Sequence, residues 1–112
     1  RVYKIPAPGL VELVERGQAD SPEAESLLRE LFAPYQGKLD EVVLGCTHYP
    51  FAAKAISRVL GSGVALLTGV TGTRRRLAEA GLLENGTGEV ILTNSLPDES
   101  ILELSRKLLD EK

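Results

Sequence analysis

The chain has 112 residues, 43% hydrophobic and 26% charged, a balance that suits one small globular core and excludes a disordered or fibrous polymer. Its net charge of −3, with Arg74-Arg75-Arg76 as the single basic cluster, argues against a nucleic-acid-binding face. One cysteine cannot close an internal disulfide and, with one histidine, is too few donors for a zinc centre; no run of about 18 apolar residues and no basic-then-apolar leader suggests a membrane span or signal peptide.

Val2 to Ile5 reads as an initial strand or a linker. Pro8 to Glu15 carries apolar residues at 10, 11, 13 and 14 and predicts a short helix ended by Gly17. Ser21 can cap the next helix and Pro22 suits its first position. Ala24, Leu27, Leu28, Leu31 and Phe32 then follow the stripe of a core-facing helix, broken at Gln36-Gly37-Lys38. Glu41 to Leu44 predicts a short buried strand, followed by a helix over Ala52 to Leu60, a turn at Gly61-Ser62-Gly63 and a strand over Val64 to Leu67. A helix is expected from about Thr73 to Ala80 with Gly81 as its stop, and a turn at Asn85-Gly86-Thr87-Gly88. Glu89 to Thr93 reads as an apolar strand, and Pro97 to Leu109 as an amphipathic helix with Ile101, Leu104 and Leu108 on one stripe. Alternating strands and helices predict an α/β fold with a mainly parallel sheet flanked by helices. No internal repeat or low-complexity segment interrupts it.

Chemistry concentrates in Leu44-Gly45-Cys46-Thr47-His48-Tyr49-Pro50, where the only cysteine and the only histidine stand two residues apart. The preceding strand and following helix would put Cys46 at a strand's carboxyl end and near a helix amino terminus, where ligands of open α/β sheets bind and where a carboxylate or thiolate is favoured. Gly45 permits an unusual backbone angle or close approach of a ligand. A cysteine thiol ordinarily titrates near ~8.5, close enough to neutral pH to serve as a base once its surroundings favour the thiolate. Taken alone, Cys46 could equally be a small buried hydrophobe and His48 a capping ring, while Glu15 could be an ordinary solvated helix end. Tyr49 and Pro50 read as structural, the ring packing beside the site and the proline opening a helix.

The run Leu44 to Pro50 resembles the second catalytic-cysteine motif of glutamate racemases, cofactor-independent enzymes that make D-glutamate for bacterial cell walls. Pro8-Gly9-Leu10-Val11-Glu12-Leu13-Val14-Glu15 is similar to another segment of that family, and the similarity is clear from Pro6 to about Phe51. The resemblance implies a Rossmann-like single domain over residues 1–112, with about 90–112 corresponding to the segment that returns toward the family's first domain. It implies that Cys46 is an acid/base thiol on one face of glutamate, that His48 assists its proton transfer, that Glu15 meets the substrate ammonium or tunes the site, and that Thr47, with Cys46 and His48, contacts the substrate. Racemisation needs a base on each face, and one thiol serves one face only. The family's enzymes have two α/β domains, and nothing here matches the first domain's Asp-Ser-Gly segment or its cysteine motif. The chain, which starts at Arg1 and has no Met, is therefore expected to be a fragment with negligible turnover by itself.

The resemblance further implies L- or D-glutamate as partner, the first racemase domain, a homodimer, a cytoplasmic location, and no cofactor, metal, nucleic acid or membrane. Two other functions fit the residues: a non-catalytic carboxylate- or phosphate-binding module, or a racemase of another acidic amino acid. The first would use the glycine-containing loop Thr68-Gly69-Val70-Thr71-Gly72-Thr73, which lacks the ending of a P-loop and the spacing of a dinucleotide fingerprint. The family usually has an acidic residue near Ala65 to Val70, and this chain does not.

Overall fold

Two glycines with positive φ bracket the first helix, and they decide where Glu15 ends up. Gly9 (φ 87°) precedes α1 (Leu10–Glu15) and Gly17 (φ 70°) follows it. A Cβ in this region costs about 1–2 kcal/mol, and at Gly9 it would also come within 3.1 Å of Leu27 Cδ1. The Gly17 N–H donates to the Val14 carbonyl at 2.9 Å and the Gln18 N–H to the Leu13 carbonyl at 2.8 Å, closing the helix. The computed structural model describes residues 1–83 and 86–110, which fall into two compact units divided between Leu67 and Thr68.

In the first unit, α2 (Pro22–Phe32) starts as its sequence predicts. Pro22 opens it, and the Ser21 hydroxyl accepts from the Ala24 N–H at 3.1 Å. Ala24, Leu28 and Phe32 are buried while Leu27 and Leu31 are half-buried, so the apolar stripe faces inward. A 3-10 turn, Ala33–Tyr35, follows, and then β1 (Glu41–Val43), a second 3-10 turn over Tyr49–Ala52, α3 (Ala53–Leu60) and β2 (Ala65–Leu67). The strands pair in parallel with Glu41 opposite Ala65 and Val43 opposite Leu67. This strand–helix–strand unit is the α/β arrangement expected from the alternation of elements, and its sheet has two strands among the described residues. Residues 2–5 join no ladder. Leu10, Val14, Leu28, Phe32, Leu44 and Ile56 are central to the core, with Val42 and Leu66 packed against it. The opposite sheet face leaves Val43 71% and Leu67 43% exposed.

Arg58 on α3 links that helix to α2 by pairing with Asp20 and, at 3.3 Å, with Glu25. Glu25 also meets Arg29 at 2.5 Å. Arg29 first and Arg58 second hold the Glu25 carboxyl below its ordinary value of 4.5. A depressed carboxylate contributes stability that is present above its unfolded-state value and disappears as pH falls through its folded-state value. Arg58→Ala is therefore expected to lower stability at neutral pH and to flatten its decline below about pH 4.5. Because the pairs are exposed the effect is small, and chemical denaturation at a series of pH values checks it.

The second unit holds α4 (Val70–Glu79) and α5 (Glu99–Asp110). The expected start of α4 at Thr73 is corrected to Val70: the Thr68 hydroxyl accepts the Val70 N–H at 3.3 Å and allows the helix to begin a turn earlier. Val70 to Thr73 thus belongs to a helix, and the loop expected over Thr68 to Thr73 shortens to Thr68-Gly69. Gly81 (φ 71°) closes α4, as its sequence predicts, with its N–H on the Ala78 carbonyl at 2.9 Å. The strand expected over Glu89 to Thr93 does not form, and Val90 and Ile91 are 61% and 76% exposed. A short apolar run makes a strand only where a neighbouring edge supplies ladder partners, and no described residue pairs with this run. Asn85 of the expected turn lies outside the described residues. The Asp98 carboxylate accepts the Ser100 N–H at 3.0 Å just before α5, which moves that helix start from Pro97 to Glu99.

Candidate active site

The backbone leaves β1 at a defined point. The Leu44 N–H donates to the Leu67 carbonyl at 2.8 Å, and the buried Leu44 side chain anchors the strand end in the core. Gly45, Cys46 and Thr47 then carry the chain away from the sheet and into the 3-10 turn. The Tyr49 N–H donates to the Cys46 carbonyl at 3.2 Å and the Phe51 N–H to the His48 carbonyl at 3.1 Å. Pro50 lies in the first positions of that turn, which runs directly into α3. Cys46 accordingly occupies the position its sequence predicts, at the carboxyl end of a parallel strand and just upstream of helical structure. Gly45 does not adopt a positive φ, so an unusual backbone angle is not its reason. The space around it is open, since a Cβ there would meet nothing within 4 Å.

Tertiary structure brings Glu15, from the end of α1, against His48. His48 Nε2 lies 3.2 Å from Glu15 Oε1, while Nδ1 lies 3.9 Å from Cys46 Sγ and 3.5 Å from Thr47 Oγ1. An ionised carboxylate only accepts hydrogen bonds, so Nε2 carries a proton and donates it to Glu15. In the neutral ring Nδ1 is then the acceptor, and it faces the thiol and the Thr47 hydroxyl. The result is a carboxylate–imidazole–thiol series. It can draw a proton from Cys46 to Nδ1, hold the resulting imidazolium against Glu15, and return the proton later. All four residues singled out in the sequence thus meet in one place. Sequence reasoning missed the pairing partner of Glu15, because its 33-residue separation from His48 leaves no local signal. Tyr49 is half-buried and packs against the core, the structural role expected of it.

The site is open. The His48 side chain is 34% exposed and that of Glu15 61%. The groove of about 590 Å³ in this unit is lined by Leu44 and Tyr49 but by none of Cys46, His48 and Glu15. Proton abstraction from carbon calls for a dry, walled site, and the first unit supplies one wall. Among the described residues no group of three or more histidine, cysteine, aspartate or glutamate side chains is arranged to hold a metal, and no helix is long and apolar enough to cross a membrane.

No protein-family model matches the chain. Among curated proteins it is 40% identical to a glutamate racemase of Clostridium perfringens strain SM101 over 118 aligned positions, covering 99% of this chain and 45% of that protein. A Clostridium kluyveri glutamate racemase is 40% identical over 117 positions, covering 98% of this chain and 46% of the relative. Among solved structures, glutamate racemase from Thermus thermophilus in complex with β-chloro-D-alanine superposes with a TM-score of 0.71 and 37% identity, over 91% of this chain and 41% of that one. Over nearly its whole length the chain is similar to part of the glutamate racemases. The likeness to glutamate racemases extends well past Phe51, the point to which the motifs alone carried it, and reaches nearly the whole chain. The chain spans about 45% of the length of the curated glutamate racemases it matches.

Proposed function

We propose that these residues form one half of the active site of a glutamate racemase that interconverts L- and D-glutamate without a cofactor. The observation that carries this reading is the series Glu15–His48–Cys46 at the end of a parallel strand, together with the relationship to glutamate racemases. In the reaction the Cys46 thiolate removes the α-proton on one face of the amino acid. An S–H bond forms, the Cα–H bond breaks, and the electron pair spreads into the adjacent carboxylate. A thiol on the opposite face, from a first domain outside these residues, delivers a proton to that carbon and inverts it. His48 exchanges a proton with Cys46 between turnovers, Glu15 holds the imidazolium, and Thr47 offers its hydroxyl and N–H to the substrate carboxylate. The solved glutamate racemase from Thermus thermophilus, similar to this chain, is in complex with β-chloro-D-alanine, which supports an amino acid as the substrate class.

In this reading residues 1–112 correspond to the Cys-containing second domain, with about 90–112 as the segment returning to the first. The natural protein would act in the cytoplasm as a homodimer and supply D-glutamate for peptidoglycan. The shortened Thr68-Gly69 loop removes the main support for a phosphate-binding module.

The test is to incubate the natural polypeptide with L- and with D-glutamate in deuterated water, following optical rotation and α-deuterium. Interconversion with one solvent deuteron incorporated per inversion is the expected result, and the 112-residue chain alone is expected to give no measurable inversion. Turnover by the short chain, or none by the natural polypeptide, would contradict the proposal.

A further inference from the structure

Two polar links join the same pair of segments. Glu15 and Asp20 lie on the stretch that ends α1 and leads into α2, while His48 and Arg58 lie on the stretch that runs through the 3-10 turn and α3. Glu15 reaches His48 Nε2 at 3.2 Å, and further along both stretches Arg58 Nη2 donates to Asp20 Oδ1. The connection from Glu15 to Asp20 is short and fixed. The Gln18 N–H donates to the Leu13 carbonyl at 2.8 Å, Ala19 is buried in the core, and the Ser21 N–H donates to the Gln18 carbonyl at 3.1 Å. A displacement of Asp20 is therefore carried back to the end of α1. That helix has six residues, too few to hold its shape without tertiary contacts. Leu10, Leu13 and Val14 fasten its inner face, but the Glu15 side chain is exposed, and among the described residues His48 is its one hydrogen-bond partner.

We propose that Arg58, acting through Asp20, is a positioning residue for the site: the pair fastens the segment after α1 to α3 and so keeps the Glu15 carboxylate within reach of His48 Nε2. The inference rests on the proposed function, in which Glu15 holds the imidazolium. It gives the two ion pairs of Arg58 different work. Asp20 belongs to the segment that carries Glu15, and it comes before Glu25 among the groups that hold the Arg58 guanidinium above its ordinary range. Glu25, which accepts from Arg58 Nε at 3.3 Å, lies within α2. The buried stripe of Ala24, Leu28 and Phe32 already sets the place of that helix, so the Glu25 pair contributes stability and leaves Glu15 where it is.

Alkylation of Cys46 by iodoacetamide at pH 7 in the natural polypeptide, followed on the peptide that carries this residue, tests the proposal alongside the denaturation midpoint. Asp20→Asn and Arg58→Ala are each expected to slow alkylation about threefold, a partial effect because the pair is exposed. Glu25→Gln is expected to lower the midpoint at least as far and leave alkylation unchanged. Arg58→Lys, which keeps a cation opposite Asp20, is expected to recover most of the rate. In a Glu15→Gln background Arg58→Ala is expected to add nothing, because it acts through Glu15. Equal slowing by Asp20→Asn and Glu25→Gln would reduce Arg58 to a stabilising contact and overturn the proposal. So would an Arg58→Ala effect that persists undiminished beside Glu15→Gln, or unchanged alkylation in Asp20→Asn. The two readings fail separately: slow alkylation in Glu15→Gln with none in Asp20→Asn contradicts the positioning role alone, whereas absent racemisation with the full alkylation pattern contradicts the proposed function alone.

Discussion

Cys46→Ala in the natural polypeptide is expected to abolish interconversion of L- and D-glutamate, lowering kcat by about 10³-fold or more. The effect is large because in the proposed reaction the thiol forms and breaks a bond to the migrating proton, whereas the residues behind it act through it. The loss should also be lopsided. From one enantiomer, α-deuterium incorporation should vanish, because Cys46 is the base on that face. From the other, the opposite thiol can still remove the proton, so some exchange without inversion should survive. Deuterium incorporation measured separately from each enantiomer distinguishes this from general damage to the fold, which would remove both exchanges together. Symmetric loss in a variant that remains folded, or symmetric retention of activity, would exclude Cys46 from the role proposed for it.

The second large effect is expected at Glu15, and it can be read in the 112-residue chain. Glu15→Gln keeps the size of the side chain but removes the charge that faces His48 Nε2 at 3.2 Å. The imidazolium loses its partner, and the proton is less readily drawn from Cys46 to Nδ1. Alkylation of Cys46 by iodoacetamide at pH 7 is expected to slow about tenfold, a moderate factor because the pair is half-exposed and screened by water. Glu15→Asp should recover part of the rate if it can still reach Nε2. His48→Asn should slow alkylation at least as much and make the Glu15→Gln change nearly silent on top of it, because the two residues act in series. Equal alkylation rates in all variants would mean that the series does not tune the thiol.

Much of the local structure is legible residue by residue. Ser21-Pro22 predicts the start of α2, and the spacing of Ala24, Leu28 and Phe32 predicts its buried face, since capping and helical period act within a few residues. Gly17 and Gly81 announce their helix ends because each needs a positive φ. α4 starts earlier than its glycines suggest: Gly69 and Gly72 have the composition of a loop, but the Thr68 hydroxyl accepts the Val70 N–H and the helix begins at Val70. Glu89 to Thr93 has the composition of a strand and no ladder, because a strand, unlike a helix, takes its hydrogen bonds from somewhere else in the chain.

The same division runs through the site. By itself the sequence determined the chemistry available, a thiol and an imidazole two residues apart at the end of a strand, because that placement depends on Glu41 to Pro50 alone. The strand reads as buried, but Glu41 and Val43 are exposed because one face of the sheet is uncovered among the described residues. Only the tertiary structure decided that Glu15 faces His48 Nε2, that Nδ1 is therefore the nitrogen turned to Cys46, and that Arg58 reaches Asp20. Those outcomes depend on how α1 and the segment after it pack beside the 3-10 turn and α3, and contacts between segments more than 30 residues apart leave no periodicity or spacing for a sequence to display.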